Sequence, residues 1–155
     1  MESRKPLGYM LGQSLRVFKS QMVSEFKKKE IELSFEQFVI LHMLNSNCDL
    51  IQRDIATQLQ KDKSIIVRQI NGLLEKQYVV QRINKNDKRI KNLILTVSGF
   101  EILNQAKAIA DELSEKLLTG IPETDLEIFR GVLLKIQENG GVEEETFNCG
   151  LNQQK

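Results

Sequence analysis

Residues 87–99, DKRIKNLILTVSG, decide the fold because a charged loop, a short strand and a helix start follow one another. The run Asn92–Thr96 is apolar and typical of a half-buried strand. The loop before it, Asn84–Arg89, has no apolar side chain, and a second strand is predicted over Val79–Asn84. Two strands joined by a cationic tip form a β-hairpin that can reach nucleic-acid phosphates or a groove.

The centre of the chain is basic, although the 155 residues carry a net charge of only +1. From Arg53 to Lys91 there are ten basic and four acidic residues, a net charge of +6, and the remainder carries −5. Such asymmetry indicates a surface that binds a polyanion.

Two helices are predicted before this basic segment. The first opens at Pro6 and has apolar residues at every third or fourth position, namely Leu7, Leu11, Leu15, Phe18, Met22 and Phe26. Ser34 and Gln37 form a capping-box pattern that opens the second helix, which runs through Leu44. Residues 48–51 are predicted to be a small strand or a turn.

Two further helices, predicted over Arg53–Gln60 and Ser64–Gln77, are separated by a short turn at residues 61–63. The fourth helix is two-faced: one arc is apolar, and the other is polar with Ser64, Arg68, Asn71 and Glu75. Ile65 and Gln69 fall between the two faces. The pair therefore predicts a helix-turn-helix whose second helix has a polar side free to meet a partner.

The C-terminal part predicts a long fifth helix from Ser98 to Gly120 and a sixth that ends at Asn139. The sixth helix is expected to bury four apolar residues, Leu126, Phe129, Leu133 and Ile136. Residues 140–155 are predicted to be disordered. Because the outer helices carry more apolar surface than one small domain needs, residues 1–32 and 98–139 are predicted to form a homodimer around a DNA-binding domain at 33–97.

Several classes of protein are disfavoured by the sequence. No apolar run approaches the ~20 residues of a membrane span, and no secretory signal is visible, so a cytoplasmic protein without membrane contact is expected. Cys48 and Cys149 form no zinc motif, and no nucleophile–base pair or phosphate-binding glycine loop indicates an enzyme. No cofactor and no metal are expected.

The chain resembles the MarR family of bacterial transcription regulators. Asp87, Arg89 and the L-T-x-x-G stretch Leu95–Gly99 are similar to one family pattern, and Leu33–Leu41 is similar to its L-[TS]-x-x-Q-[aromatic]-x-x-L pattern. The resemblance covers about Leu7 to Asn139. It implies a mainly α fold with a small β wing (α+β), a winged helix-turn-helix with N- and C-terminal dimerisation helices.

The chain departs from the family pattern at the end of the fourth helix. Gln77 stands where the family has a glycine, and a left-handed cap there would be strained. Gln81 stands where an arginine is usual, and strand alternation turns Arg82 to the other face. Either the helix end is rebuilt by one residue, or the role of that arginine is lost. Gly72 in mid-helix costs about 1 kcal/mol against alanine, which a close backbone contact would explain.

The resemblance and the helix pattern together predict double-stranded DNA as the partner. Arg68 is expected to pair with guanine, Gln69 with adenine and Ile65 with a thymine methyl, while Ser64 is expected either to meet DNA or only to cap the helix. Phosphate contacts are assigned to Lys61, Lys63, Lys85, Lys88 and Lys91, and to Arg53 with the amides at the start of the third helix. Arg89 is assigned to the minor groove and Asp87 to holding it.

The family often binds small aromatic or anionic effectors, and a pocket near Arg16, Phe38 and His42 is the place predicted here. His42 by itself is more typical of a partly buried, hydrogen-bonded histidine than of a metal ligand. A winged-helix module that binds protein instead of DNA is the main rival function.

Overall fold

The computed structural model describes residues 4–47 and 49–142. Within them it has six helices and two strands: α1 (Leu7–Lys28), α2 (Phe35–Ser46), α3 (Gln52–Leu59), α4 (Lys63–Glu75), β1 (Val79–Ile83), β2 (Lys91–Leu95), α5 (Val97–Leu117) and α6 (Glu123–Asn139). Each predicted helix and strand is present. Most of their ends differ from the predicted ones by one to three residues, because helix ends depend on backbone capping geometry.

The capping box that predicts α2 is formed. The Ser34 hydroxyl accepts a hydrogen bond from the Gln37 amide at 3.0 Å, and the Gln37 side chain accepts one from the Ser34 amide at 3.1 Å. Between α1 and α2, Glu30 has a left-handed backbone conformation at φ 57°. The N–H of Ile31 then reaches back to the carbonyl of Phe26 at 2.9 Å and closes the helix.

One hydrophobic core joins the C-terminal half of α1 to α2, α3, α4, the hairpin and α5. Its fully buried side chains include Phe26, Ile40, Leu41, Ile55, Ile66, Ile70, Leu73, Val79, Leu93 and Leu103. Phe26 meets Phe38 edge to face, with ring centroids 5.8 Å apart. The helix-turn-helix and the hairpin are thus fixed to the same core as the long helices.

The two strands form an antiparallel hairpin with Val79 opposite Leu95 and Ile83 opposite Lys91. Residues 48–51 do not form a strand in the described part; instead the carbonyl of Leu50 accepts one hydrogen bond from the amide of Leu93 at 3.0 Å. After β2, the Thr96 hydroxyl caps α5 by accepting from the Gly99 amide at 3.0 Å.

Helix α6 differs from its prediction, because none of its residues is buried in the single chain. Phe129 and Ile136, expected to pack inward, are 48% and 41% exposed. The prediction of an apolar stripe is right, but its burial within one chain is wrong, since periodicity identifies a face and not what covers it.

The C-terminal end of α6 lies close to its predicted position. Helix α6 ends at Asn139, and Gly141, two residues later, has a positive φ of 81°. Most of the segment 140–155, predicted to be disordered, lies outside the described residues, as do Cys48 and Cys149. No helix in the described part is both long and apolar enough to cross a membrane.

Candidate nucleic-acid interface

Helices α3 and α4 form the predicted helix-turn-helix. Gln60 ends α3 in a left-handed conformation at φ 48°, and the Lys61 amide donates to the Ala56 carbonyl at 3.2 Å. The chain then turns and starts α4 after Asp62, the N-cap residue. The buried side chains of α4 are Ile66, Ile70 and Leu73. They fix which side of this helix faces outward.

The polar side of α4 is exposed as the sequence predicts. Ser64, Arg68, Asn71 and Glu75 all face solvent. Ser64 is the second residue of α4 and is not its cap, so the alternative that its hydroxyl only caps the helix is wrong. Ser64 and Arg68 lie one turn apart, which places a hydroxyl and a guanidinium side by side for contact with base edges.

The two intermediate residues of α4 have different surroundings. Ile65 is 37% exposed and can present a methyl surface. Gln69 is half-buried, and its Oε1 already accepts a hydrogen bond from the Ser34 hydroxyl at 3.0 Å. Bidentate pairing with adenine needs the amide oxygen as well as the NH₂ group, and in this conformation Ser34 already uses one lone pair of the Gln69 oxygen.

The remaining cations predicted to meet phosphates, Lys61, Lys63, Lys85, Lys88, Lys91 and Arg53, are all exposed. The start of α3, predicted to add backbone amides to an anion site, is already occupied in part. The Asp54 carboxylate accepts from the Ile51 amide at 3.0 Å and puts a negative charge at this terminus. The negative charge of Asp54 opposes phosphate binding at this terminus, whereas the exposed Arg53 favours it.

The hairpin tip is shaped by side chains that bond to its own backbone. The Asn84 Oδ1 accepts from the amides of Asn86 at 2.8 Å and Asp87 at 3.2 Å. Asp87 Oδ1 in turn accepts from the backbone amide of Arg89 at 3.0 Å and from its Nε at 3.3 Å. These bonds from the Arg89 backbone and guanidinium hold the pKa of Asp87 below its ordinary value. The arrangement matches the holding role that the resemblance implies for Asp87, and leaves the Arg89 side chain 91% exposed.

Asn92 is a part of this tip that sequence reasoning missed. Its Oδ1 accepts from Asn84 Nδ2 at 2.9 Å, and its own Nδ2 donates to the Asp49 carbonyl at 2.9 Å. The signal in the sequence is an asparagine next to the apolar residues of the strand. In the structure it is buried, and a buried side-chain amide needs hydrogen-bond partners. It ties the hairpin tip to the segment between α2 and α3.

The structure decides both questions raised by the departures at residues 77 and 81. Gln77 keeps the left-handed cap at φ 59°, with its amide donating to the Leu74 carbonyl at 3.0 Å. The helix end is therefore not rebuilt. Gln81 pairs opposite Leu93 and Arg82 opposite Asn92, so Arg82 lies on the face away from Gln81.

The residues predicted for an effector pocket are not joined by any described hydrogen bond or ion pair. Phe38 packs on Phe26, while Arg16 and His42 are exposed. The expectation of a hydrogen-bonded histidine is wrong in the single chain, because no described hydrogen bond reaches the His42 ring. Partial desolvation, and then Lys107, lower the pKa of His42. An open cleft of about 690 Å³ lies elsewhere, lined by the end of α1, residues 30–34, Gln37 and Lys76.

Comparison with known proteins gives the assignment. The sequence profile of the MarR family matches residues 33–91, which include α2, the helix-turn-helix and the hairpin tip. A curated relative, the HTH-type transcriptional regulator BilQ of Clostridium symbiosum, is 28% identical over 102 residues, 66% of this chain and 69% of its own. The chain contains a MarR-family domain over residues 33–91. It is a transcriptional regulator of the winged-helix type.

Solved MarR-family structures are similar over nearly the whole described chain. A family member from Listeria monocytogenes in complex with a 26mer DNA is 26% identical, with a TM-score of 0.78 and coverage of 88% of this chain and 89% of that one. The Staphylococcus aureus MepR–DNA complex (22% identity, TM-score 0.74, coverage 88% and 99%) and Escherichia coli MarR (19%, 0.75, 86% and 98%) share the fold.

Proposed function

We propose that this protein is a sequence-specific DNA-binding regulator that acts as a homodimer on a pseudo-palindromic operator. The observation that carries the proposal is the outward side of α4, where Ser64 and Arg68 are exposed beside Lys61 and Lys63 at the turn. A helix-turn-helix presents the N-terminal half of its second helix to the major groove. The two relatives solved with DNA support double-stranded DNA as the partner.

The proposal assigns different work to the two basic elements. Arg68 and Ser64 read base edges, and a bidentate arginine–guanine pair is worth about 1–3 kcal/mol of discrimination. Arg89 enters the minor groove, where narrow A·T tracts attract a guanidinium. The exposed lysines of the turn and the hairpin neutralise phosphates and make affinity depend on salt.

The same proposal includes how DNA binding is regulated. The protein acts as a repressor in the bacterial cytoplasm, on nucleoid DNA, and carries out no enzymatic reaction. A small aromatic or anionic effector that changes the spacing of the two α4 helices weakens DNA binding, and by linkage DNA weakens effector binding equally. Arg16, Phe38 and His42 remain the predicted effector residues, since the full site would need the partner helices of the dimer.

The deciding experiment selects duplexes from a random pool and compares Arg68→Ala with Lys88→Ala on the selected and on random DNA. Arg68→Ala is expected to lower the preference for the selected duplex roughly tenfold or more, because base contacts carry discrimination. Lys88→Ala is expected to weaken both duplexes alike and to reduce the salt slope by about one unit.

Lys107→Ala is a suitable control, because it removes a cation on α5, outside the proposed surface. Identical losses for Arg68→Ala and Lys88→Ala on both duplexes would contradict the division of labour. Failure of the unmodified protein to bind any duplex at low salt would instead favour a winged-helix module that binds protein.

A further inference from the structure

One side of α4 is used for contact with the start of α2 and the loop before it. Three residues, spaced three and four apart, make these contacts: Gln69 and Gly72 of α4, and Lys76, the C-cap residue that follows it. This spacing places them along one stripe of the helix. The stripe lies between the apolar core side and the side that carries Ser64 and Arg68.

Gln37 is the centre of the contact. Its Oε1 completes the α2 capping box by accepting from the Ser34 amide at 3.1 Å, while its Nε2 donates to the backbone carbonyl of Gln69 at 3.3 Å. The residue is only 8% exposed. One side-chain amide therefore joins the first turn of α2 to the middle of α4.

Gly72 explains how Gln37 comes so close. A Cβ built on Gly72 would lie 2.7 Å from Gln37 Nε2, inside van der Waals contact. An alanine there would displace the amide from the Gln69 carbonyl. The glycine in mid-helix, costly in helix propensity, is thus the position that admits the contact.

Neighbouring contacts make the same connection. The Ser34 hydroxyl donates to Gln69 Oε1 at 3.0 Å, and the Lys76 ammonium donates to the carbonyl of Glu32. The start of α2 is itself fixed to α1, because Lys19 bonds to Glu36 at 2.5 Å and lies 5.4 Å from the centre of the Phe35 ring. A continuous set of contacts thus runs from α1 through α2 to α4.

We propose that Gln37, with Ser34 and Gly72, positions α4 for base recognition, so that these residues determine DNA specificity without touching DNA. The inference rests on the proposed DNA-binding function. Base readout tolerates little displacement of the reading side chains, whereas phosphate contacts through flexible lysines tolerate more. Loss of the Gln37 contact should therefore reduce specific binding and leave non-specific binding nearly unchanged.

Gln37→Glu separates the two tasks of this side chain. A glutamate still accepts from the Ser34 amide, as in the common S-x-x-E capping box, but it cannot donate to the Gln69 carbonyl. Affinity for the duplex selected from a random pool is expected to fall about tenfold. Affinity for random DNA at low salt should change by less than twofold. The salt slope should change by less than half a unit. Gln105→Glu, which makes the same charge change on exposed α5, is the control.

Gly72→Ala gives a second test in which a merely structural explanation predicts the opposite sign. Alanine favours helix by about 1 kcal/mol, so a role in helix propensity alone predicts equal or better binding. The positioning role predicts a selective loss on the selected duplex. Gly131→Ala on α6, where a Cβ meets nothing within 4 Å, is the matched control.

Hydrogen exchange on the free protein separates this inference from the proposed function. Amides of α4 should exchange faster in both variants than in their controls, with those of α5 unchanged. Unchanged selectivity in both variants would overturn the inference, and so would equal losses on selected and random DNA. If the unmodified protein bound no duplex, the proposed function would fail, and unchanged exchange in α4 would also reject the positioning role.

Discussion

Gln77 occupies a backbone conformation that normally belongs to glycine. At φ 59° it closes α4, and its carbonyl accepts hydrogen bonds from the hydroxyls of Thr96 at 2.7 Å and Ser98 at 3.2 Å. These two bonds, from the start of α5, hold the strained residue in place. The family resemblance predicts the strain, because the family has a glycine at this helix end. It does not predict the two hydroxyls, which lie about 20 residues away along the chain.

Replacing this residue tests the strain directly. Gln77→Gly is expected to raise the free energy of unfolding by about 0.5–1 kcal/mol. An L-residue in the left-handed conformation costs ~1–2 kcal/mol, and glycine removes this cost. Part of the gain is lost because glycine gives the unfolded chain more conformational entropy. Urea denaturation measures the change. Gln81→Gly, in a strand residue without positive φ, should lower stability instead, and a gain of similar size in both variants would contradict the explanation.

The contacts of the Gln37 side chain with the Gln69 carbonyl and with Gly72 mark the limit of sequence reasoning at this scale. Helical periodicity places both residues on α4 correctly, yet their partner, Gln37, is more than 30 positions away. Nothing in the local pattern relates the two segments. The same is true of Asn92 and Asp49, 43 positions apart.

At the scale of elements, most of the fold is predictable because each helix has a local start or stop signal. The α2 capping box and the apolar stripes of α1 and α5 all predict what the structure contains. The orientation of the hairpin is different, since it depends on Asn92 and on the bond between Leu93 and Leu50. The sequence predicts that a wing exists, and the tertiary contacts decide where its tip lies.

The attachment of α2 to α1 has a pH dependence that can be measured. Partial burial is the largest single effect on Glu36 and opposes its ionisation. The hydrogen bond from Lys19, a backbone hydrogen bond and the charges of Lys19 and Lys61 together outweigh it, so the pKa of Glu36 lies below its ordinary value of 4.5. The folded protein then binds fewer protons than the unfolded chain. The stabilisation is present above about pH 4.5 and is lost as the pH falls through the lowered pKa of the folded state.

Glu36→Gln should therefore be less stable than the unmodified protein at pH 7, by about 1 kcal/mol or less for such a partly exposed pair. The difference should shrink as the pH is lowered below 4.5. Urea denaturation across this range measures it. In a Lys19→Ala background the same substitution should have almost no effect, and a full effect there would assign the stabilisation to another partner.

At the scale of the whole molecule, apolar side chains remain on the outer helices. Leu7, Tyr9, Met10 and Leu15 of α1 are at least 50% exposed, as are Ile128 and Leu134 of α6. A folded chain seldom leaves so many large apolar groups in water on two helices. The sequence predicts this excess from the stripes alone, and the exposure in the single chain supports the proposed homodimer.

A charge on the α6 stripe should separate assembly from folding. Phe129 is 48% exposed and outside the core, so Phe129→Glu is expected to leave the fold of each chain intact while burying a charge in the proposed interface. Sedimentation should show a shift from dimer to monomer at micromolar concentration. Binding to the selected duplex should weaken at least tenfold, because one half-site contact is lost. Thr124→Glu, on the opposite side of α6, serves as the control. A Phe129→Glu protein that stayed dimeric with unchanged DNA affinity would place the interface elsewhere.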